Sequence, residues 1–213
     1  GQLGGLLADG VGDQQFPARH RDQVLDGGAG VNTLRLSGTG ATLDLTLATV
    51  ASKVKGINSG VSHIKDVPTP LLKEQFDAGR IHATTDFSHL REVDTINICV
   101  PTPLRKTKDP DVSYIVSAVD EIVKYIHKGQ LIILESTTYP GTTAELIQGR
   151  LEESGLKCGV DFFLAYSPER INPGDREHTV DKITKVVSGQ TPEVLERVAA
   201  IYGAITTGGV FKA

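Results

Sequence analysis

Apolar runs and amphipathic stretches alternate along most of this chain. Leu131-Ile132-Ile133-Leu134 is a continuous apolar run, the signature of a strand buried on both faces. Thr95 to Val100 (TINICV) reads as a second strand, and Asp161 to Tyr166 and Ile183 to Val187 as two more. Ile81 to Thr85 is a weaker candidate strand, and Thr206 to Phe211 contains the start of another. Between them lie helical patterns. Ile115, Val116, Val119, Ile122, Val123 and Ile126 share one side of a helix predicted over Asp111 to Lys128, acidic at its start and basic at its end, as the helix dipole favours. Ala144, Ile147 and Leu151 recur at helical spacing behind Thr142 or Thr143 as cap, with Gly155 as stop. Residues 69 to 78 read as a short helix closed by Gly79, Phe87 to Arg91 as a helical turn, and Pro192 to Tyr202 as a helix with proline in its first turn. Lys53 to Ile57 fits the end of a helix stopped by Gly60.

Strands and helices in alternation, joined by connections too long for hairpins, predict an α/β fold. The expected architecture is a doubly wound, mostly parallel sheet with helices on both faces. Its start is expected to be incomplete or irregular. Residues 1 to 51 are Gly-rich and contain no Lys, Ile, Glu, Tyr or Cys, all of which become common from Lys53 onward. Only Asn32 to Leu36 and Leu43 to Val50 have strand character there, with Gly-Ala-Gly at 28–30 and Gly-Thr-Gly at 38–40 as turn signals.

Composition narrows the picture modestly. With 213 residues, 39% hydrophobic and 23% charged, the chain has the balance of a soluble globular protein. A net charge of −4 argues against a nucleic-acid partner, and no apolar run has the length to cross a bilayer. Cys99 and Cys158 have neither metal nor disulfide spacing, and Cys99 reads as a small buried hydrophobe in a reducing cytosol. The six histidines show no zinc-type spacing. The chain has no methionine, so processing or excision from a longer protein is expected.

The candidate chemistry lies at strand ends, where open parallel sheets bind ligands. Thr102, between Pro101 and Pro103, is either a loop residue or a nucleotide contact held by extended backbone. Thr137 and Thr138 are either capping hydroxyls or hydroxyls facing the crevice. Glu169 and Arg170 are either a surface ion pair or a fixed site, the carboxylate placing a water and the guanidinium gripping a phosphate or carboxylate.

Taken together, CVPTP at 99–103, ESTTYPGT at 135–142 and AYSPERINPGD at 165–175 resemble the NAD-dependent nucleotide-sugar 6-dehydrogenases, and the SPERINPG form is most similar to the UDP-N-acetylhexosamine branch. The resemblance runs from about Ala51 to Ala213. It implies a Rossmann-like NAD domain over residues 52 to 213, with Thr102, Thr137 and Thr138 along the cofactor and Lys53 at its adenosine end. It implies that Thr138 and Glu169 hold a catalytic water, that Glu169 and Arg170 contact a UDP-sugar, and that the complete enzyme is a cytoplasmic homo-oligomer making sugar acids for polysaccharides.

Two departures accompany it. The family opens with a strand and GxGxxG, whereas Gly38-Thr39-Gly40-Ala41-Thr42-Leu43 lacks the third glycine, and Ala48 stands where the acidic ribose-binding residue belongs. Residues 1 to 51 are therefore expected to be foreign to the family, through a frame error or fusion. The family's nucleophilic cysteine belongs to a glycine-rich motif farther downstream that this chain does not contain, so the chain alone is expected to be inactive. The alternatives are the domain of another hydroxyacid or 6-phosphogluconate-type dehydrogenase, and a non-catalytic, degenerate nucleotide-binding fragment.

Overall fold

The structure, a computed structural model, describes residues 33–36, 52–63, 67–105, 110–168 and 182–213. Six strands form one sheet in the order β1 to β6: Thr33–Leu36, Thr95–Ile98, Leu131–Leu134, Phe163–Tyr166, Lys185–Gly189 and Val210–Lys212. The first four are mutually parallel, β5 runs antiparallel to β4, and β6 is parallel to β5. Helix α1 covers residues 52–57, α2 Thr69–Asp77, α3 Ser113–Val123, α4 Gly149–Glu152 and α5 Pro192–Gly203. The architecture is the Rossmann-like, mostly parallel sheet that the alternating pattern predicts.

The sheet is buried on both sides because apolar residues fill both faces of its central strands. Ile96, Ile98, Ile132, Leu134 and Leu164 point to one face, against Ile115, Ala118, Val119 and Ile122 of α3 and Leu151 of α4. The residues between them in sequence, Leu131, Ile133 and Ala165, meet Val194, Val198, Ala199 and Tyr202 of α5 on the other. All four residues of β3 are buried, the condition its unbroken apolar run anticipates.

Several boundaries differ from expectation for identifiable reasons. Ile81 to Thr85 is not a strand. The Asn58 side chain donates to the Ala83 carbonyl at 2.8 Å and accepts from its N–H at 2.9 Å, supplying the pairing a neighbouring strand would have offered. Helix α3 ends at Val123 rather than Lys128; the Lys124 and Tyr125 N–H groups reach back only three residues, to Glu121 and Ile122, before the Ile126 N–H closes on the Ile122 carbonyl at 2.8 Å. Gln130 then anchors the turn into β3. Fully buried, it donates to the carbonyls of Leu90 and Val93, each at 2.8 Å. The helix expected behind Thr142 forms, but its first two turns, Thr142–Gln148, are wound as a π-helix before passing into α4. Thr142 is its first residue rather than its cap, which is Gly141 at φ 91°. Gly79 and Gly155, predicted as stops, both take positive φ. In the Gly-rich segment, Thr33–Leu36 adds a parallel edge strand to β2; Leu43 to Val50 lies outside the described residues.

Candidate functional site

The carboxyl ends of β2 and β3 lie side by side, with Ile98 paired to Leu134. Four residues beyond each member of that pair stand Thr102 and Thr138, so the parallel register delivers both threonine loops to one edge of the sheet. Buried Ser136 ties them together. Its Oγ accepts from the Val100 N–H at 2.8 Å and donates to the Val100 carbonyl at 2.7 Å. The loop after Thr102 is closed by the Asp111 N–H donating to the Pro103 carbonyl at 2.7 Å and by Arg105 pairing with Asp111 at 2.9 Å. The Arg105 guanidinium, followed by Ser113 at the start of α3, holds the Asp111 carboxyl down to about 2. With the folded value below the ordinary one, this contribution is present above about pH 4 and lost as pH falls towards 2. Acid titration followed by NMR should show Asp111 protonating near pH 2, below the ordinary aspartate range, and Arg105→Gln should return it towards that range.

Thr137 is exposed and Thr138 half-buried. Thr138 Oγ1 lies 2.7 Å from Thr142 Oγ1, and Thr142 Oγ1 donates to the Tyr139 carbonyl at 2.8 Å. Thr142 has one hydroxyl proton and spends it on that carbonyl, so Thr138 is the donor to Thr142. The Thr138 oxygen is thereby left to accept, the role needed to orient a water or ligand hydroxyl. The Tyr166 phenol, at the end of β4, faces the Thr138 backbone N–H, and burial pushes its ionisation upward.

Beneath these loops sits a polar cluster that sequence reading passes over. Glu135, 4% exposed, is the first residue after β3. Its Oε1 accepts from Asn97 Nδ2 at 3.0 Å and from the Tyr202 hydroxyl, and its Oε2 accepts from Cys99 Sγ at 3.2 Å. Lys185, 7% exposed, places its Nζ 5.1 Å from the centroid of the Tyr202 ring. Because β5 runs opposite to β4, Lys185 at the start of β5 belongs to this same ligand-side end. Cys99 is therefore a half-buried thiol bonded to a carboxylate rather than a merely hydrophobic filler. The one sequence signal for the cluster is an acidic residue closing a wholly buried apolar run; nothing local connects it to Tyr202.

Of the predicted site residues, Thr102, Thr137 and Thr138 are brought to one edge, and Lys53 is exposed near the start of α1. Glu169 and Arg170 lie outside the described residues. Cys158 donates to Gln190 Oε1 at 2.6 Å, and burial pushes its thiol up to about 11, so it is a poor source of thiolate. Among the described residues no group of three His, Cys, Asp or Glu side chains is placed to hold a metal ion, and no helix is long and apolar enough to cross a membrane.

Comparison with known proteins places this geometry. Residues 42–206 match the profile of the UDP-glucose/GDP-mannose dehydrogenase family, NAD binding domain. Protein CapL of Staphylococcus aureus is 44% identical over 163 residues, covering 76% of this chain and 38% of the relative. UDP-N-acetyl-D-glucosamine 6-dehydrogenase of Pseudomonas aeruginosa is 41% identical over 162 residues, with the same two coverages. Among solved structures, the NDP-N-acetyl-D-galactosaminuronic acid dehydrogenase of Methanosarcina mazei superposes with a TM-score of 0.74 at 30% identity, over 85% of this chain and 38% of that one. The chain thus spans about 38% of the length of the curated relatives it matches.

Proposed function

The chain belongs to the UDP-glucose/GDP-mannose dehydrogenase family, whose NAD-binding domain it carries, and from that premise we propose that it serves the oxidation of the C6 hydroxyl of a UDP-N-acetylhexosamine to a carboxylate. The overall change consumes the primary alcohol, two NAD⁺ and one water, and yields the carboxylate, two NADH and three protons. The observation that carries the reading is the convergence of Thr102 with Thr137 and Thr138 at the carboxyl ends of two adjacent parallel strands, inside the matched region. The UDP-N-acetylhexosamine relatives favour that sugar class.

NAD, when bound, accepts the hydride from C6 in each of the two oxidations. The rest falls to the protein. Thr102 and Thr137 line the cofactor, and Lys53 meets its adenosine end. Thr138 Oγ1, committed to accepting by its bond to Thr142, takes a hydrogen bond from the water of the hydrolytic step. Glu169 shares in holding that water and serves the hydrolytic step, and Arg170 contacts the substrate. Neither Cys99, bonded to Glu135, nor Cys158, with its raised ionisation, is poised as the nucleophile that would hold the aldehyde, so this part of the protein supplies binding and the water site. The domain proper is residues 52–213. The profile match begins inside the Gly-rich segment before it. The complete enzyme is cytoplasmic and homo-oligomeric, without nucleic-acid or membrane partners.

Isothermal titration of the chain with NAD tests the reading. Saturable binding is expected, weakened about fivefold by Thr102→Val or Thr137→Val, the loss of roughly one net hydrogen bond. Cooperative unfolding without NAD binding would instead support a degenerate, non-catalytic module.

A further inference from the structure

Two large apolar side chains stand exposed at the ligand end of the sheet, on neighbouring loops: Leu104, 70% exposed, and Tyr139, 44% exposed. Scattered exposed apolar residues are ordinary, but the backbone beside each of these two is tied by hydrogen bonds. Leu104 forms a backbone bridge with Pro110, next to the Asp111–Pro103 hydrogen bond and the Arg105–Asp111 ion pair. The Tyr139 carbonyl accepts from the Thr142 hydroxyl at 2.8 Å, Pro140 restricts the Tyr139 backbone, and Gly141 turns the chain at φ 91°. Tyr139 follows Thr138 directly, and among the described residues its side chain makes no hydrogen bond and no ring contact.

We propose that Tyr139, flanked by Leu104, is the platform on which the nicotinamide ring of NAD lies. This rests on the reading of the domain as an NAD site. A doubly wound sheet binds a dinucleotide as two mononucleotides, one to each side of the crevice. With Lys53 on the α1 side assigned to adenosine, the β2 and β3 loops receive the nicotinamide half. A flat heteroaromatic ring needs an apolar face, and the phenol of Tyr139 is the one aromatic ring exposed on these loops. The oxidised nicotinamide is cationic, and the face of a tyrosine ring attracts cations. The platform therefore holds NAD⁺ more tightly than NADH, a preference suited to an enzyme that must bind the oxidised form twice per turnover.

The test compares three ligands, NAD⁺, NADH and ADP-ribose, which lacks the nicotinamide ring, by isothermal titration of the chain and its variants. Tyr139→Ala should bind NAD⁺ about tenfold more weakly, as loss of one aromatic stacking partner implies. It should bind NADH with a smaller loss and ADP-ribose unchanged. Tyr139→Phe should keep all three affinities, because the ring and not the hydroxyl is used, and Leu104→Ala should lose about threefold for NAD⁺ and NADH alike but nothing for ADP-ribose. Thermal unfolding of each variant checks that the exposed substitutions leave the fold intact. Equal losses for NAD⁺ and ADP-ribose, or no loss in Tyr139→Ala, overturn the platform while leaving the NAD site standing. A wild-type chain that binds none of the three overturns both.

Discussion

Glu135→Leu should lower the unfolding free energy by about 3 kcal/mol, since it strands donors in a buried place and each unsatisfied group costs about 1–3 kcal/mol. Asn97, 7% exposed, and Tyr202, 5% exposed, would both lose their acceptor at once, and Cys99 would lose its own. Urea denaturation at neutral pH measures the loss; a change under about 0.5 kcal/mol, the scale of a surface substitution, would show the cluster to be energetically idle. Tyr202→Phe separates one arm of the cluster and adds a pH signature. Burial, then the neighbouring Glu135, pushes the Tyr202 ionisation far above the ordinary tyrosine value of about 10. A group whose folded value is raised contributes stability that is complete below its unfolded value and is lost as pH rises beyond it. Stability of the wild-type chain should therefore fall as pH climbs past about 10, and Tyr202→Phe should flatten that decline while starting from a lower value at neutral pH.

Gly189→Ala should be comparably destabilising, by about 3 kcal/mol, the upper end of what overpacking usually costs. Gly189 ends β5, opposite Ala165, where the chain turns into α5. A Cβ there would lie 2.4 Å from the Leu195 nitrogen and 2.8 Å from its Cα. Both are backbone atoms of the helix, so no rotamer change relieves the contact and α5 must move off the sheet. That helix carries Val194, Val198 and Tyr202 into the core, so the displacement should propagate to Glu135. Circular dichroism melts of Gly189→Ala and of Gly155→Ala make the comparison. A Cβ at Gly155 meets nothing within 4 Å, so that variant should carry only the cost of its φ of 85°. Equal melting temperatures for Gly189→Ala and wild type would mean that α5 is not seated as described.

The strands that hold the site were legible because burial on both faces needs continuous apolar sequence. Leu131–Leu134, an unbroken apolar run, could be recognised without reference to anything else in the chain, and Thr95–Ile98 by its isoleucines and the prolines that follow. Helix α5 was equally readable, with Thr191 accepting from the Val194 N–H and proline in the first turn. Where elements were misplaced, a contact distant in sequence intervened. Asn58 satisfies Ala83 across 25 residues and so removes the need for a strand there. Gln130, bonded to Leu90 and Val93, ends α3 early by committing the chain to β3.

For the site the division follows the same line. Local sequence placed Thr102, Thr137 and Thr138 at strand ends, because a buried apolar run broken by proline or by a hydroxyl cluster has one geometric meaning. The two motifs they belong to, together with AYSPERINPGD at 165–175, also pointed to the family that the comparisons identify. What sequence could not decide was the direction of the Thr138 hydroxyl, which depends on where Thr142 spends its single proton. Nor could it show that Glu135 is held by Tyr202, 67 residues away. Apolar periodicity is written residue by residue and survives in isolation. Hydrogen-bond partnership is settled only when the sheet register and the seat of α5 bring a donor and an acceptor to the same buried point.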